Sequence, residues 1–582
     1  MSSASRRSSA WLIWLALVVA CGVGLRWYRV DNGIDGWAAQ KAAMGDSRSY
    51  VVVGGPGEAF GRVAGELRTL PMVGRTLDPH AAALLRPFGG PTPDHLVING
   101  NWSGGFYFAA DGVSDSALVA AVRQVVDREP SLHVAGPAVY HVALGAASQA
   151  RMPLIAAAIA VVGFFGVRLC GFAWRFAGQA LAVVVGSQVA LLGAMSWCGI
   201  AVDATASMAP PLMAALGYSL VLHRAAGAGV GLLLGCYLTT AAAAASVAVA
   251  PVGPLRQFGL VALCGLTLTA LGTWLLVARG ASDKSAARFS TGASPLAWSC
   301  VAVLLVAGLA CVGLLHVDAD GVALLPANAR ERVAFEQLDA HLTGMLPSQV
   351  ICQPPVPRIA ERLDASPAVT KVVDASAADG LPRGSRFWVL SHNDALPELY
   401  SAMRELQSTA PAGASIEWRG LAAQLAAAEA QVARVAKSAM PTALAITAIA
   451  AFWATRSLRA MAAAVFVAGV PSAALVATLA CLGIALTPPH LLVFAIATGV
   501  AADDVLHVCR AWATGHGGGW RRACLASSAV SVACLLPLLA SPFPPARQFA
   551  WMLAIALSVA SPTAVFLLPR LLPALPRRRR ST

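Results

Sequence analysis

Long apolar runs recur along this chain of 582 residues and constrain its fold more than any other feature. A transmembrane helix needs roughly 20 consecutive, predominantly apolar residues, and runs of that length occur many times. Only 12% of the residues are charged, whereas an average soluble protein is about one-quarter charged. The composition therefore predicts an α-helical polytopic membrane protein and excludes a soluble globular fold.

The net charge of +13 follows the predicted topology and does not indicate a nucleic-acid partner. If the N-terminus is cytoplasmic and each apolar run crosses once, nearly all basic residues near the crossings fall on the cytoplasmic side. The opposite short loops carry only Arg256 and Arg547. We therefore expect a multi-pass protein of the cell inner (cytoplasmic) membrane. Both termini would be cytoplasmic, and the basic tail would contact anionic lipid.

An internal repeat organises the chain. Three pairs of segments match at a spacing of 284 residues, and a fourth pair matches at 291. The pairs are Ser131–Gly136 with Ser415–Gly420, Gly199–Val202 with Gly483–Leu486, Val221–His223 with Val505–His507, and Pro251–Phe258 with Pro542–Phe549. The sequence therefore predicts two tandem six-helix units that insert in the same direction and are related by an axis along the membrane normal.

Each unit is predicted to contain one helix, a polar domain and five further helices. The twelve crossings are expected near 11–27, 151–167, 177–200, 205–223, 229–250, 256–278, 297–315, 440–455, 460–486, 489–508, 523–541 and 548–570. The domains are a cytoplasmic N-terminus with the first helix (1–27), a polar domain (28–150), five helices (151–278), a cytoplasmic linker (279–296), the seventh helix (297–315), a second polar domain (316–438), five helices (439–571) and the tail (572–582). Residues 6–25 also have the form of a signal peptide, but the matching helix at 297–315 favours a retained anchor.

Both polar domains follow an outward crossing, so we expect them to be extracytoplasmic. Alternation and apolar runs predict their strands, and Ser114 is placed to cap a helix with correctly spaced apolar residues. The predicted strands are Tyr50–Val53, His95–Asn99, Gly105–Ala109, Leu132–Ala135, Gln349–Cys352, Phe387–Leu390 and Ile416–Trp418, with a second helix over 395–407. The order predicts two α+β ferredoxin-like domains.

Two adjacent acids, Asp503 and Asp504, fall within the predicted tenth crossing. A charge at mid-membrane costs roughly 2.5–3.5 kcal/mol on insertion scales, so such residues usually have a function. Close like charges and burial both disfavour double ionisation, which makes the pair a coupled site for one exchangeable proton. His507 lies one turn further along the same side, where it could pass protons or orient one carboxylate. Alternatively, the acids lie near the cytoplasmic end, reach water and only cap structure.

Hydroxyl groups on neighbouring helices are the expected partners of this proton relay of Asp503, Asp504 and His507. The candidates are Tyr218, Ser219, Thr239, Thr240, Ser527 and Ser528. His223 is the repeat equivalent of His507, and its place at a helix end predicts an interfacial residue. No cysteine–histidine spacing indicates a metal, no nucleotide-binding motif occurs, and no nucleophile is spaced for catalysis. We expect no cofactor, a proton gradient as energy source, and no enzymatic activity.

The motifs resemble those of the RND superfamily of exporters, in its MMPL-like branch. The segment Gly499–His507 is similar to that branch's tenth-helix signature, in which a glycine precedes an acidic pair and a histidine. Further similar segments are Thr455–Arg459, the two Pro-x-x-Pro-x-Arg-Gln-Phe motifs, Val317-Asp318 and Phe335–Gly344. The family usually carries an acid on the fourth helix too, where this chain has Ser219 and Leu220. Its polar domains are also short for the family, which indicates a compact member.

This resemblance implies export of a hydrophobic or lipid-like small molecule, driven by the proton-motive force. Proton binding at the acids would change the packing of helices four and ten and rock the two extracytoplasmic porter domains. The implied partners are membrane lipids and the substrate; homo-oligomer formation stays open. The alternatives are a transport-inactive scaffold or accessory protein of the same fold and, with less support, a helper in protein secretion.

Overall fold

The computed structural model shows a mostly helical chain. It describes residues 3–27, 49–77, 97–98, 101–277, 325–423, 441–514 and 519–572, with short gaps inside these ranges and scattered positions between 299 and 311. The chain forms two compact units. The helical unit comprises Met1–Asp31, Ser148–Asp318 and Gln431–Thr582, and the α+β unit comprises Asn32–Ala147 and Ala319–Ala430.

The elements are numbered in chain order among the described residues. The helices are α1 Ser3–Gly24, α2 Gly57–Thr69, α3 Asp115–Val126, α4 Pro137–Gln149, α5 Met152–Leu169, α6 Trp174–Trp197, α7 Ala209–Ala225, α8 Val230–Ala248, α9 Gly253–Leu276, α10 Arg330–His341, α11 Ile359–Asp364, α12 Leu396–Ser408, α13 Pro441–Thr455, α14 Leu458–Cys481, α15 Pro488–Thr514, α16 Gly519–Leu535, α17 Pro544–Pro562 and α18 Leu568–Leu571. The strands are β1 Tyr50–Pro56, β2 Val73–Leu77, β3 Val97–Ile98, β4 Trp102–Ala109, β5 His133–Ala135, β6 Leu346–Gln353, β7 Lys371–Asp374, β8 Arg386–Ser391 and β9 Ser415–Gly420.

The protein is a multi-pass helical membrane protein. Within the described part of the chain, nine helices are long and apolar enough to cross a bilayer. Two more predicted crossings form shorter helices: α7 has 17 residues and follows a 3₁₀ turn at Ala206–Met208, and α13 spans Pro441–Thr455. The predicted crossing at 297–315 lies largely outside the described residues, as do the linker at 279–296 and the tail at 573–582.

Helices α7 and α15 form the centre of the helical unit. Every residue of α7 is buried, and 94% of the most apolar stretch of α15 is buried inside the protein. Helix α8 packs along α15, and α16 packs along α7. Because α7 and α8 precede the α+β chain segment at 325–423 while α15 and α16 follow it, each central helix is covered by a helix from the other half of the sequence.

Residues predicted to be equivalent contact each other in the helical unit. The rings of His223 and His507 stack with centroids 3.8 Å apart, and those of Phe258 and Phe549 lie 6.2 Å apart. Such contacts are what a twofold axis between the two predicted units would produce. The equivalent glycines Gly199 and Gly483 end α6 and α14 with φ of +69° and +62°, a left-handed conformation that glycine adopts without steric cost.

The two sheets of the α+β unit have the same strand order. The first runs β2-β4-β1-β5, with β3 paired to β4, and the second runs β7-β8-β6-β9; all recorded pairings are antiparallel. Helices α2 and α3 bury apolar residues against the first sheet, and α11 and α12 do so against the second. The Ser114 hydroxyl accepts a hydrogen bond from the Ala117 amide and caps α3 as predicted.

Helix α10 covers the other face of the first sheet, so the two polar domains share a core. Leu338 of α10 and Leu342, the residue that directly follows this helix, pack with Phe106 and Phe108. Gly104 permits this approach, since a Cβ there would lie 2.8 Å from a methyl carbon of Leu342. At the edges of this contact, the Tyr50 hydroxyl donates to the Met345 carbonyl at 3.1 Å, Arg123 pairs with Glu331 at 2.7 Å, and Arg330 pairs with Asp127 at 2.8 Å.

A larger side chain at Gly104 should separate α10 from the sheet. We expect Gly104→Val to lower the free energy of unfolding of the α+β unit by about 1–3 kcal/mol, as overpacking does in other cores. Hydrogen exchange of residues 330–341, with the protein in lipid nanodiscs, measures the effect. Gly61→Val is the matched control, because a Cβ at exposed Gly61 meets no atom within 4 Å. Equal protection of α10 in both variants would contradict the packing described.

Candidate functional site

The two acids lie deep within α15. At a rise of about 1.5 Å per residue, Asp503 is roughly 22 Å from the start of this helix and about 16 Å from its end. Asp503 and Asp504 are only 4% and 3% exposed. Both carboxylates are therefore enclosed by protein, and the alternative in which they reach water and merely cap a helix end does not match this burial.

Asp503 faces α8. The Thr239 hydroxyl lies 3.0 Å from its Oδ1, and the Thr240 hydroxyl lies 3.5 Å from both oxygens. Gly499, one turn earlier on α15, allows the close approach, because a Cβ there would be 3.1 Å from the Cα of Thr240. In the Gly499–His507 segment, the glycine thus lets α8 approach α15, and the acid then contacts the hydroxyls of α8.

Asp504 faces α16 and α7. The Ser528 hydroxyl donates to its Oδ2 at 3.3 Å, and Nε2 of His223 lies 3.6 Å from its Oδ1. Cys524 and Ser561 are further neighbours of this carboxyl group. Consecutive helical residues point about 100° apart, so the two acids contact different helices and together reach both halves of the sequence.

Two buried imidazoles complete the site. His223 is fully buried and His507 is 4% exposed, and their rings stack with an interplanar angle of 19°. Neither nitrogen of His223 makes a hydrogen bond, and the same holds for Nε2 of His507. Among the described residues, no lysine or arginine lies within 4.0 Å of either carboxylate. Arg224, next to His223, instead donates to the carbonyls of Val277 and Ala228.

Three of the predicted hydroxyl partners contact the acids: Thr239, Thr240 and Ser528. The prediction was wrong for the others. Tyr218 donates to the Ala160 carbonyl at 3.4 Å, and Ser527 donates to the Cys524 carbonyl at 2.8 Å. Ser219 is buried but makes no hydrogen bond to either carboxylate. Asp503 contacts α8 and not the fourth predicted crossing, α7.

Sequence reasoning missed two features of the site. His223 was predicted to be interfacial but is buried beside Asp504; its equivalence to His507 was the signal that could have placed it at the centre. The second feature is a repeat 288 residues apart, Cys236-x-x-Thr-Thr on α8 and Cys524-x-x-Ser-Ser on α16. Its last hydroxyls, Thr240 and Ser528, are the groups that meet Asp503 and Asp504, respectively.

In the part of the chain that the structure describes, no group of three or more histidine, cysteine, aspartate or glutamate side chains is arranged to hold a metal ion. The Thr239 hydroxyl can form a hydrogen bond with Asp503 in either protonation state of the acid, because it also lies 2.8 Å from the Cys236 carbonyl oxygen. It donates to the carboxylate when Asp503 is ionised, and donates to the carbonyl while accepting from Asp503 when the acid is neutral.

Comparison with known proteins gives no assignment: no family model matches the chain, and no curated protein matches its sequence.

A side chain at Gly499 should disrupt the contact between α8 and Asp503. We expect Gly499→Val to push α8 away and to cost about 1–3 kcal/mol of stability. Maleimide modification of the fully buried Cys236 on α8, located by mass spectrometry in the detergent-solubilised protein, should then become faster. Gly469→Val on α14 is the control, since a Cβ there meets nothing within 4 Å. Unchanged protection of Cys236 would argue against this packing.

Proposed function

We propose that the protein is a proton-motive-force-driven exporter of the RND superfamily, in its MMPL-like branch, that moves a hydrophobic or lipid-like molecule across or out of the cytoplasmic membrane. One observation carries the proposal. Two adjacent carboxyl groups are buried where the two halves of the chain meet, without an arginine or lysine partner among the described residues.

The burial of the pair supports a proton-binding role. An ion taken out of water without compensation costs several kcal/mol, and a second like charge beside it adds to that cost. At least one of the acids is therefore neutral for most of the time. The nearby hydroxyls of Thr239, Thr240 and Ser528 stabilise an ionised carboxylate in turn. Such a site can gain and lose a proton without a fixed charge to hold it in one state.

The contacts of the acids supply a route from protonation to movement. Asp503 is held against α8, and Asp504 against α16 and α7, so a change of charge alters packing between the two halves. Ionisation strengthens the hydroxyl contacts, whereas protonation weakens them. The central helices would shift relative to each other as protons enter from outside and leave to the cytoplasm.

Several features of the architecture support the proposal. Nine long apolar helices, the shorter α7 and α13 and the predicted crossing at 297–315 would together make the twelve crossings that we propose. Both sheets have the same strand order, with paired helices on one face, and this supports our proposal of two ferredoxin-like domains outside the cytoplasm. The substrate class rests on the family resemblance, because a fold alone does not determine function.

A transport-inactive scaffold of the same fold is the second candidate. It is favoured by α7, which carries Ser219 and Leu220 where the family usually has an acid. A protein that had lost half of its relay could retain the fold and serve as an accessory to another membrane protein. The exporter requires Asp503 and Asp504 for transport, whereas the scaffold does not depend on them.

Loss of either acid should abolish export. In cells that lack the gene, we expect a hydrophobic compound to accumulate in the inner membrane, and the wild-type gene to clear it. Asp503→Asn and Asp504→Asn should clear it at least about tenfold more slowly, because an amide cannot exchange a proton in this way. Untargeted mass spectrometry of membrane extracts measures the accumulation and identifies the compound. A protonophore should have the same effect as the substitutions.

The exposed acid Asp364 provides the matched control, and Asp364→Asn should clear the compound at the wild-type rate. Clearance by both relay variants, or clearance that survives collapse of the proton gradient, would leave the scaffold as the better description. Equal membrane levels of all variants must be verified by immunoblotting.

A further inference from the structure

We propose that His223 supplies the first half's share of the proton relay: it takes the proton from Asp504 and occupies the role left empty by the missing acid on α7. This inference rests on the proposed function and names a residue that carries it. The structure supports it through the position of His223, the state of its nitrogens and its stacking with His507.

The position of His223 joins the two halves of the chain. It lies on α7, and its Nε2 is 3.6 Å from Oδ1 of Asp504 on α15. A shift of about half an ångström would bring the two atoms to hydrogen-bond distance. Ser219 and Leu220, where an acid would otherwise be expected, lie one turn earlier on the same helix. A basic group at position 223 can therefore meet the acid of the other half directly.

The nitrogens of His223 are unusual for a structural histidine. A buried polar atom without a hydrogen bond costs about 1–3 kcal/mol, and nearly all such atoms in folded proteins have a partner. Both nitrogens of His223 lack one although the side chain is fully buried. A histidine that only filled space would be expected to donate to a backbone carbonyl. An imidazole that lies close to a carboxyl group without a hydrogen bond to it has a nitrogen available to accept that group's proton.

The stack with His507 limits the pair to one charge. Two neutral imidazoles stack favourably at 3.8 Å, whereas two imidazolium ions at that distance would repel strongly in a medium of low dielectric constant. The titratable side chains that the structure shows facing His223 are Asp504 and His507, both on α15. A proton that reaches His223 therefore leaves before a second one enters.

The transfer step is balanced within these groups. The O–H bond of neutral Asp504 breaks, its electron pair stays on the carboxylate, and an N–H bond forms at Nε2 of His223. The products are a carboxylate and an imidazolium, which attract each other and draw α7 towards α15. Release of the proton from the histidine pair towards the cytoplasm removes this attraction, and the helices separate again. A proton from outside then binds the Asp504 carboxylate and restores the neutral acid. Proton passage thus becomes a cycle of approach and separation between the two halves.

Labelling with dicyclohexylcarbodiimide tests the contact without a known substrate. This reagent modifies neutral carboxyl groups in apolar surroundings, and mass spectrometry locates each adduct in the full-length protein in nanodiscs. We expect His223→Gln to increase labelling of Asp504 on the order of tenfold at neutral pH, because Asp504 then has no imidazole to accept its proton and stays neutral. Labelling of Asp503, which contacts α8, should stay within about twofold of wild type.

Two further variants separate the proposed role from a loss of folding. Ser187→Ala removes a buried hydroxyl on α6 that donates to the Val183 carbonyl and should leave both labelling rates unchanged. His507→Gln, which removes the stacked ring but not the group beside Asp504, should raise Asp504 labelling by less than His223→Gln does. Unchanged Asp504 labelling in His223→Gln, or an equal rise at Asp503, would overturn the proposal.

The clearance assay distinguishes this inference from the function on which it rests. If the proposal holds, His223→Gln fails to clear the compound, as Asp504→Asn does. If His223→Gln clears normally while both acid variants fail, the relay stands and His223 is not part of it. If both acid variants clear normally, the transport function itself is wrong.

Discussion

The cost of an unpaired charge in a poorly hydrated interior governs the structure of the helical unit. Asp503 and Asp504 can be buried because hydroxyls surround them and because a proton can neutralise them. Burial in turn requires that α15 be enclosed on nearly all sides, and that α8 approach closely at Gly499. The apolar central helices and Gly499 enclose the two acids, and the small hydroxyl side chains compensate their charge.

Helices from the two halves of the sequence pack against each other, so the acids of α15 contact helices of the first half. A carboxyl group that touched only its own half would change local packing, but Asp503 meets α8 and Asp504 meets α7 of the other half. The pairs His223–His507 and Phe258–Phe549 lie where equivalent residues meet. The site therefore lies where the two halves of the sequence pack against each other.

The sequence predicts the general fold well because apolar length and period carry that information. Ser114, the strands of both sheets that are rich in valine and phenylalanine, and the acidic pair were all identified from local patterns. The short strands β2 and β7 were missed, since Val73–Leu77 and Lys371–Asp374 contain few apolar residues. The side of α7 that meets α15 could not be predicted either. That helix is buried all round, so its pattern does not distinguish Tyr218 and Ser219 from His223.

The shared core under α10 has a consequence for how any movement could proceed. Leu338 and Leu342 pack on the first sheet, and the chain continues from them directly into the second. The Tyr50 hydroxyl donates a hydrogen bond to the Met345 carbonyl. Pulling these two domains apart would expose a continuous oily surface to water. The two domains are accordingly joined as one block within the α+β unit, and they do not separate along this contact without that cost.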